Sequence, residues 1–124
     1  MVETVDVYPT LAALCGLKVS DDLDGESIIP LLRDPKSKGK PFARSFYYRN
    51  NALGTTIKTD HYRIVRWATE KDSTVAVELY DHTNDLEENF NIASENKILT
   101  DSLLTQLTSV KFLSADKPFV KGWE

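Results

Sequence analysis

Cysteine is nearly absent: Cys15 stands alone among 124 residues, so no internal disulfide can form and the redox compartment stays open. An excess of positive charge is also missing. With 15 Lys and Arg against 19 Asp and Glu, the net charge is -4, which gives no electrostatic reason to expect nucleic acid or an anionic membrane as a partner. Apolar runs reach only a few residues, too short for a bilayer-spanning helix. The opening MVETVDVYPT starts with acidic residues instead of a basic segment and an apolar core, so a secretory signal is expected upstream or not at all. There is no glycine-rich phosphate loop and no G-x-S-x-G elbow, and His61 and His82 stand on different segments, not at metal-ligand spacing. The residues by themselves supply no self-sufficient active site.

What is present has an ordinary globular balance, 41% hydrophobic and 27% charged, enough for one domain with a modest core. VETVDVYPTLAALCGL reads as a helix ended by Gly16, with Val5, Tyr8, Leu11, Ala12 and Cys15 on one face. Pro9 suits a first helical turn, so Asp6 to Tyr8 is either a lead-in or the helix kinks there. Cys15 is expected to be buried and inert on that apolar face. The next segment, to Pro41, reads mostly as loop. It has a turn at Asp24-Gly25, a short helical turn capped by Ser27 and stopped at Asp34-Pro35, and a solvated basic loop at Lys36, Lys38 and Lys40.

The middle of the chain is rich in β-branched and aromatic residues. ARSFYYRN, GTTIKTDHYRIVRWAT and STVAVELYD read as three or four antiparallel strands, with Asp60-His61 as a turn between Ile57 and Tyr62, one sheet face buried and the other partly basic. SENKILTDSLLTQLTSVKFL reads as an amphipathic helix with Ile98, Leu99, Leu103, Leu107 and Val110 on its face and Ser94 as a capping residue. Phe119 and Trp123 are candidate packing anchors. Strands followed by a helix imply an α+β class: a small antiparallel sheet of three to four strands with a packed C-terminal helix.

Oxygen-bearing side chains crowd ELYDHTNDLEENFNIA, residues 78 to 93. An EF-hand loop needs glycine at its sixth position and glutamate at its twelfth. Counted from Asp81, those positions hold Leu86 and Ile92, so the calcium template fails at its two most restrictive places. An exposed acidic turn explains more. Asp81 and Asn84 suit side-chain bonds to nearby backbone N–H groups and left-handed backbone, and Phe90 and Ile92 pin the returning chain to the core.

Taken in order, VETVDVYPTLAALCGL, LDGESIIPLL, TIKTDHYRIVRW and ELYDHTNDLEENFNIA resemble the C-terminal region of type I sulfatases, the formylglycine-dependent, alkaline-phosphatase-like family, from about Val2 to about Leu107. The strand TIKTDHYRIVRW looks most like the iduronate-2-sulfatase-like branch. The resemblance implies that residues 1–35 are the terminal helix and loop of the large catalytic domain and residues 36–124 the C-terminal subdomain. It implies calcium and formylglycine in the full-length family. The C/S-x-P-x-R motif that begins with the formylglycine precursor does not occur here, since Cys15 is followed by Gly16 and Leu17. The implied partners are a sulfatase catalytic domain and an anionic sulfated substrate; the implied location is periplasmic, extracellular or lysosomal.

An anionic sugar calls for Arg, Lys and aromatic contacts. The candidates are Tyr48, Arg49, His61 and Arg63, with Tyr47 and Arg66 beside them. The plainer alternatives put Tyr47 or Tyr48 in the core, Arg63 and Arg66 on a solvated sheet face, and His61 in a turn. Two functions follow. One is a noncatalytic part of a sulfatase that helps to form the substrate cleft. The other is an autonomous binding module that keeps the subdomain fold without enzyme activity.

Overall fold

The structure is a computed structural model and describes residues 1–49, 51–69 and 71–109. A 3-10 turn at Thr4–Asp6 leads into helix α1, Val7–Leu14; α2 spans Ile29–Arg33. Four strands follow, β1 Ala43–Arg49, β2 Ala52–Lys58, β3 Tyr62–Thr69 and β4 Thr74–Asp81, and then helix α3, Lys97–Ser109. Met1–Glu3 with Lys38–Ser109 form one compact unit, and Thr4–Ser37 lie in the other.

The larger unit is an antiparallel meander in the order β1-β2-β3-β4 with α3 on one face, an α+β architecture. Register puts Ile57 opposite Ile64, and Ile64 opposite Leu79, so alternation sends all three to the same face. Leu103 and Leu107, one helical turn apart on α3, close over that row, with Tyr62, Val77, Ile92 and Leu99 packed around it. Burying each such side chain is worth about 1.5–3 kcal/mol. Asp60 and His61 form the β2–β3 turn as expected, clamped by a hydrogen bond from the Thr59 N–H to the Tyr62 carbonyl, 2.8 Å.

Several side chains depart from their sequence expectation. Ile98 is 90% exposed, because the stripe that meets the sheet runs through Leu99, Leu103 and Leu107. Ser94 does not occupy the capping position; α3 begins at Lys97, with Asn96 before it. Lys40 is not solvated: its ammonium reaches Glu3 Oε2 at 2.6 Å, and the Arg44 N–H donates to Glu3 Oε1 at 2.7 Å. Partial burial pushes the Glu3 carboxyl up, but these donors and both cations outweigh it and hold it below its ordinary value. Val110, Phe119 and Trp123 lie outside the described residues.

In the smaller unit Gly16 ends α1 in left-handed backbone, φ 69°. The Leu17 N–H donates to the Ala12 carbonyl and the Gly16 N–H to the Ala13 carbonyl, a Schellman termination. Pro9 sits in the first turn, with the 3-10 turn as lead-in. Of the expected apolar face, Ala12 alone is buried. Asp6, Pro9, Thr10 and Ala12 are buried, whereas Val5, Tyr8, Leu11 and Cys15 are exposed. Polar satisfaction explains the change. Asp6 Oδ1 accepts from the Glu26 N–H at 2.9 Å and Thr10 Oγ1 from the Ile28 N–H at 3.0 Å, so the loop is laid along the polar side of the helix. A Cβ on Gly25 would fall 2.0 Å from the Val5 carbonyl oxygen, so only glycine fits that approach. The N-cap of α2 is Ile28, one residue after Ser27, whose hydroxyl accepts from the Ile29 N–H at 3.4 Å.

Candidate functional site

On the sheet face opposite α3, alternation and register bring together Tyr47 of β1, Lys58 of β2, Arg63, Val65 and Trp67 of β3, and Glu78 and Tyr80 of β4. Trp67 lies across the sheet. A Cβ on its cross-strand neighbour Gly54 would come within 2.9–3.1 Å of three carbons of its six-membered ring. Its indole N–H donates to Glu78 Oε1, 3.0 Å, while the Tyr80 hydroxyl donates to Glu78 Oε2, 3.1 Å. Tyr47 meets Trp67 edge-on, with ring centroids 6.4 Å apart and planes at 88°. Burial and the neighbouring Glu78 both push the Tyr80 hydroxyl up.

The acidic turn fastens to the same face. Arg63 makes a two-pronged pair with Glu88 and lies over the Tyr80 ring, 5.4 Å from its centroid. His82 Nε2 is 2.6 Å from Glu88 Oε1, and Lys58 Nζ is 2.8 Å from His82 Nδ1. An ammonium only donates, so Nδ1 accepts and the ring proton sits on Nε2, directed at Glu88. Partial burial raises the Glu88 carboxyl, yet the His82 and Arg63 hydrogen bonds and the Arg63 charge prevail and hold it below its ordinary value. Glu88 also has φ 58°, left-handed backbone that costs a non-glycine residue about 1–2 kcal/mol and that this double pairing offsets.

The rest of the turn serves its own backbone. Asp81 Oδ1 accepts from the Thr83 N–H, 2.9 Å, and Oδ2 from the Asn84 amide, 3.0 Å. These donors, the Thr83 N–H foremost, lower the Asp81 carboxyl; the Asn89 and Phe90 N–H groups do the same for Asp85. The left-handed residue is Glu88, not Asn84. Phe90 is 72% exposed and pins nothing, whereas Ile92 packs on the core. The real anchor is Asn91. Its Oδ1 accepts from the Leu79 N–H at 3.0 Å and its amide donates to the Val77 carbonyl at 3.2 Å. Among the described residues no three of His, Cys, Asp and Glu converge on a metal position.

The structure spreads the sequence candidates apart. Tyr48 and Arg49 are adjacent on β1 and so point to opposite faces, beside the β1–β2 turn. His61 stands in the β2–β3 turn at the other end of β2, edge-on to Tyr62. Arg63 is part of the turn clamp; Arg66 is bonded to Asp72 and to Thr74 Oγ1. Neither arginine is simply solvated, and Tyr47, at 65%, is exposed and outside the core. Reading the sequence missed Trp67, Glu78, Tyr80, Lys58, His82 and Glu88 as one group. The every-second-residue rhythm of Arg63, Val65 and Trp67 is the only trace of it in the sequence.

The sheet, its helix and this hydrogen-bonded turn form one α+β region. Its fold superposes on the crystal structure of yidJ from Bacteroides fragilis, named as a sulfatase, with TM-score 0.75 and 26% identity over 84% of this chain and 23% of that one. Residues 1–112 match the family described as "N-sulphoglucosamine sulphohydrolase, C-terminal", and the chain belongs to that family. Arylsulfatase K of Rattus norvegicus is 30% identical over 120 residues, covering 89% of this chain and 21% of its own length. Arylsulfatase K of Homo sapiens is 25% identical over 119 residues, covering 89% and 22%. The chain thus spans about a fifth of the length of these curated relatives. No helix among the described residues is long and apolar enough to cross a membrane.

Proposed function

We propose that this chain is the C-terminal part of a sulfatase that hydrolyses sulfate esters of sugars, and that it lines one side of the substrate cleft without catalysing by itself. The carrying observation is the family match over residues 1–112 in a sequence with no C/S-x-P-x-R motif. In this reading residues 1–35 are the end of the catalytic domain and residues 36–124 the subdomain. The exposed Val5, Tyr8, Leu11 and Leu14 side chains of the smaller unit support it, since they suit packing against the upstream part of the protein. Formylglycine would serve as nucleophile and calcium would stabilise sulfate charge, both in that upstream part. The periplasm, the extracellular space or the lysosome are the matching compartments. A place in the iduronate-2-sulfatase-like branch rests on the strand pair 56–67 alone.

Of the basic candidates, Arg49 and His61 are exposed at opposite ends of the sheet and are available to an anionic substrate. Arg63 acts through the turn it clamps, and Tyr48 contributes ring surface beside Asn51. The test joins the chain to the coding sequence upstream of it in its source DNA and measures sulfate release from an aryl sulfate. The longer protein is expected to hydrolyse the ester and the 124-residue chain to be inert. An in-frame stop just upstream of the Met1 codon overturns the reading in favour of an autonomous binding module.

A further inference from the structure

We propose that the corner made by Tyr47 and Trp67 beside Glu78 binds an unsulfated pyranose ring, stacked on the indole with one of its hydroxyls donating to the Glu78 carboxylate. The indole is fixed at both ends. Gly54 leaves bare backbone beside its six-membered ring, and its N–H is held by Glu78 at 3.0 Å. The exposed Tyr47 ring stands at 88° to it, giving a floor and a wall for the apolar face and edge of a sugar.

Charge selects the kind of ring. Glu78 receives only neutral donors, the Trp67 N–H and the Tyr80 hydroxyl, and has no cationic partner among the described residues. Each carboxylate oxygen accepts more than one hydrogen bond, so acceptor capacity remains for a hydroxyl. Of the cations on the same face, Arg63 and Lys58 are engaged with Glu88 and His82, and Arg49 stands beyond Tyr47 on β1, three strands away from Glu78 on β4. A sulfate placed at Glu78 would meet an unscreened like charge, whereas a hydroxyl meets an acceptor. The inference rests on the proposed function only for the source of the sugar, a glycan in which unsulfated units flank the sulfated one.

The test is a titration of the full 124-residue chain, nitrogen-15 labelled, with chitotetraose, a neutral pyranose oligomer, followed by NMR at the indole N–H that disappears in Trp67→Phe. A saturable shift is expected, with a dissociation constant on the order of millimolar. Tyr47→Ala, at an exposed position that leaves the rest of the spectrum in place, is expected to weaken binding about threefold to tenfold. A fully sulfated heparin tetrasaccharide is expected to leave the signal unmoved with wild type and to gain binding with Glu78→Gln. An indole signal that stays still to tens of millimolar chitotetraose, a shift indifferent to Tyr47→Ala, or equal response to the sulfated oligomer each overturns the proposal. A sulfatase reading that failed would show instead as no sulfate release from the longer protein, with this titration unaffected.

Discussion

The two faces of the one sheet are built by different rules. Under α3, Ile57, Ile64 and Leu79 are held by apolar contact with Leu103 and Leu107, and any side chain of similar size and polarity would serve nearly as well. On the opposite face Trp67, Glu78, Tyr80, Arg63, Glu88, His82 and Lys58 form a chain of directed bonds in which each group requires its particular neighbour. The helix face supplies the larger share of stability. The polar face fixes geometry, since a hydrogen bond adds only about 1 kcal/mol net while a misplaced partner forfeits it.

That contrast is most severely tested at Leu79, which is fully buried. Leu79→Ala is expected to cost about 2–5 kcal/mol in urea unfolding, the full transfer and cavity cost; a loss under 1 kcal/mol would mean that the helix does not close over the row. Asn91→Ala comes next, at about 1–3 kcal/mol, because it strands the buried Leu79 N–H; hydrogen exchange should then quicken at Leu79 and leave Ile64 protected. Glu88→Gln should cost about 1 kcal/mol at neutral pH. Its pH dependence carries a sign. The folded Glu88 carboxyl sits below its ordinary value of 4.5, so the pairing contributes fully above that value and is lost as pH falls through the lower, folded one. The stability difference between wild type and Glu88→Gln should therefore shrink on acidification below about 4.5; a difference constant to pH 3 would remove the Arg63–Glu88–His82 clamp from the account. Ile98→Ser should change stability by less than about 0.5 kcal/mol, since the side chain lies in solvent on α3.

Burial was far more legible in the sequence than bonding. The strand rhythm around Ile57, Ile64 and Leu79, the Asp60-His61 turn and the spacing of Leu103 and Leu107 express periodicities that a sequence carries openly. The polar face does not show in this way, because its members come from four separate segments and meet only once the register is set. His82 and Glu88 sit inside a run of acids that reads as solvent-facing, and nothing local announces that Arg63 lies across from them. Helix α1 misled for a related reason. Its apolar residues suggest the buried face, yet the N–H groups of Glu26 and Ile28 needed Asp6 and Thr10, and that need decided which side is covered within the chain.

Asn91 has a consequence beyond its own hydrogen bonds. Along the outer rim of β4 the Leu79 N–H and the carbonyls of Val77 and Leu79 are taken, by the Asn91 side chain and by the Ile92 N–H at 2.9 Å. A free rim of this kind templates the addition of foreign strands and, from there, fibrillar aggregation. By folding its returning chain against β4, the protein covers this stretch of the rim with one side chain and one backbone N–H, so removing Asn91 should open it to self-templated assembly as well as loosen it.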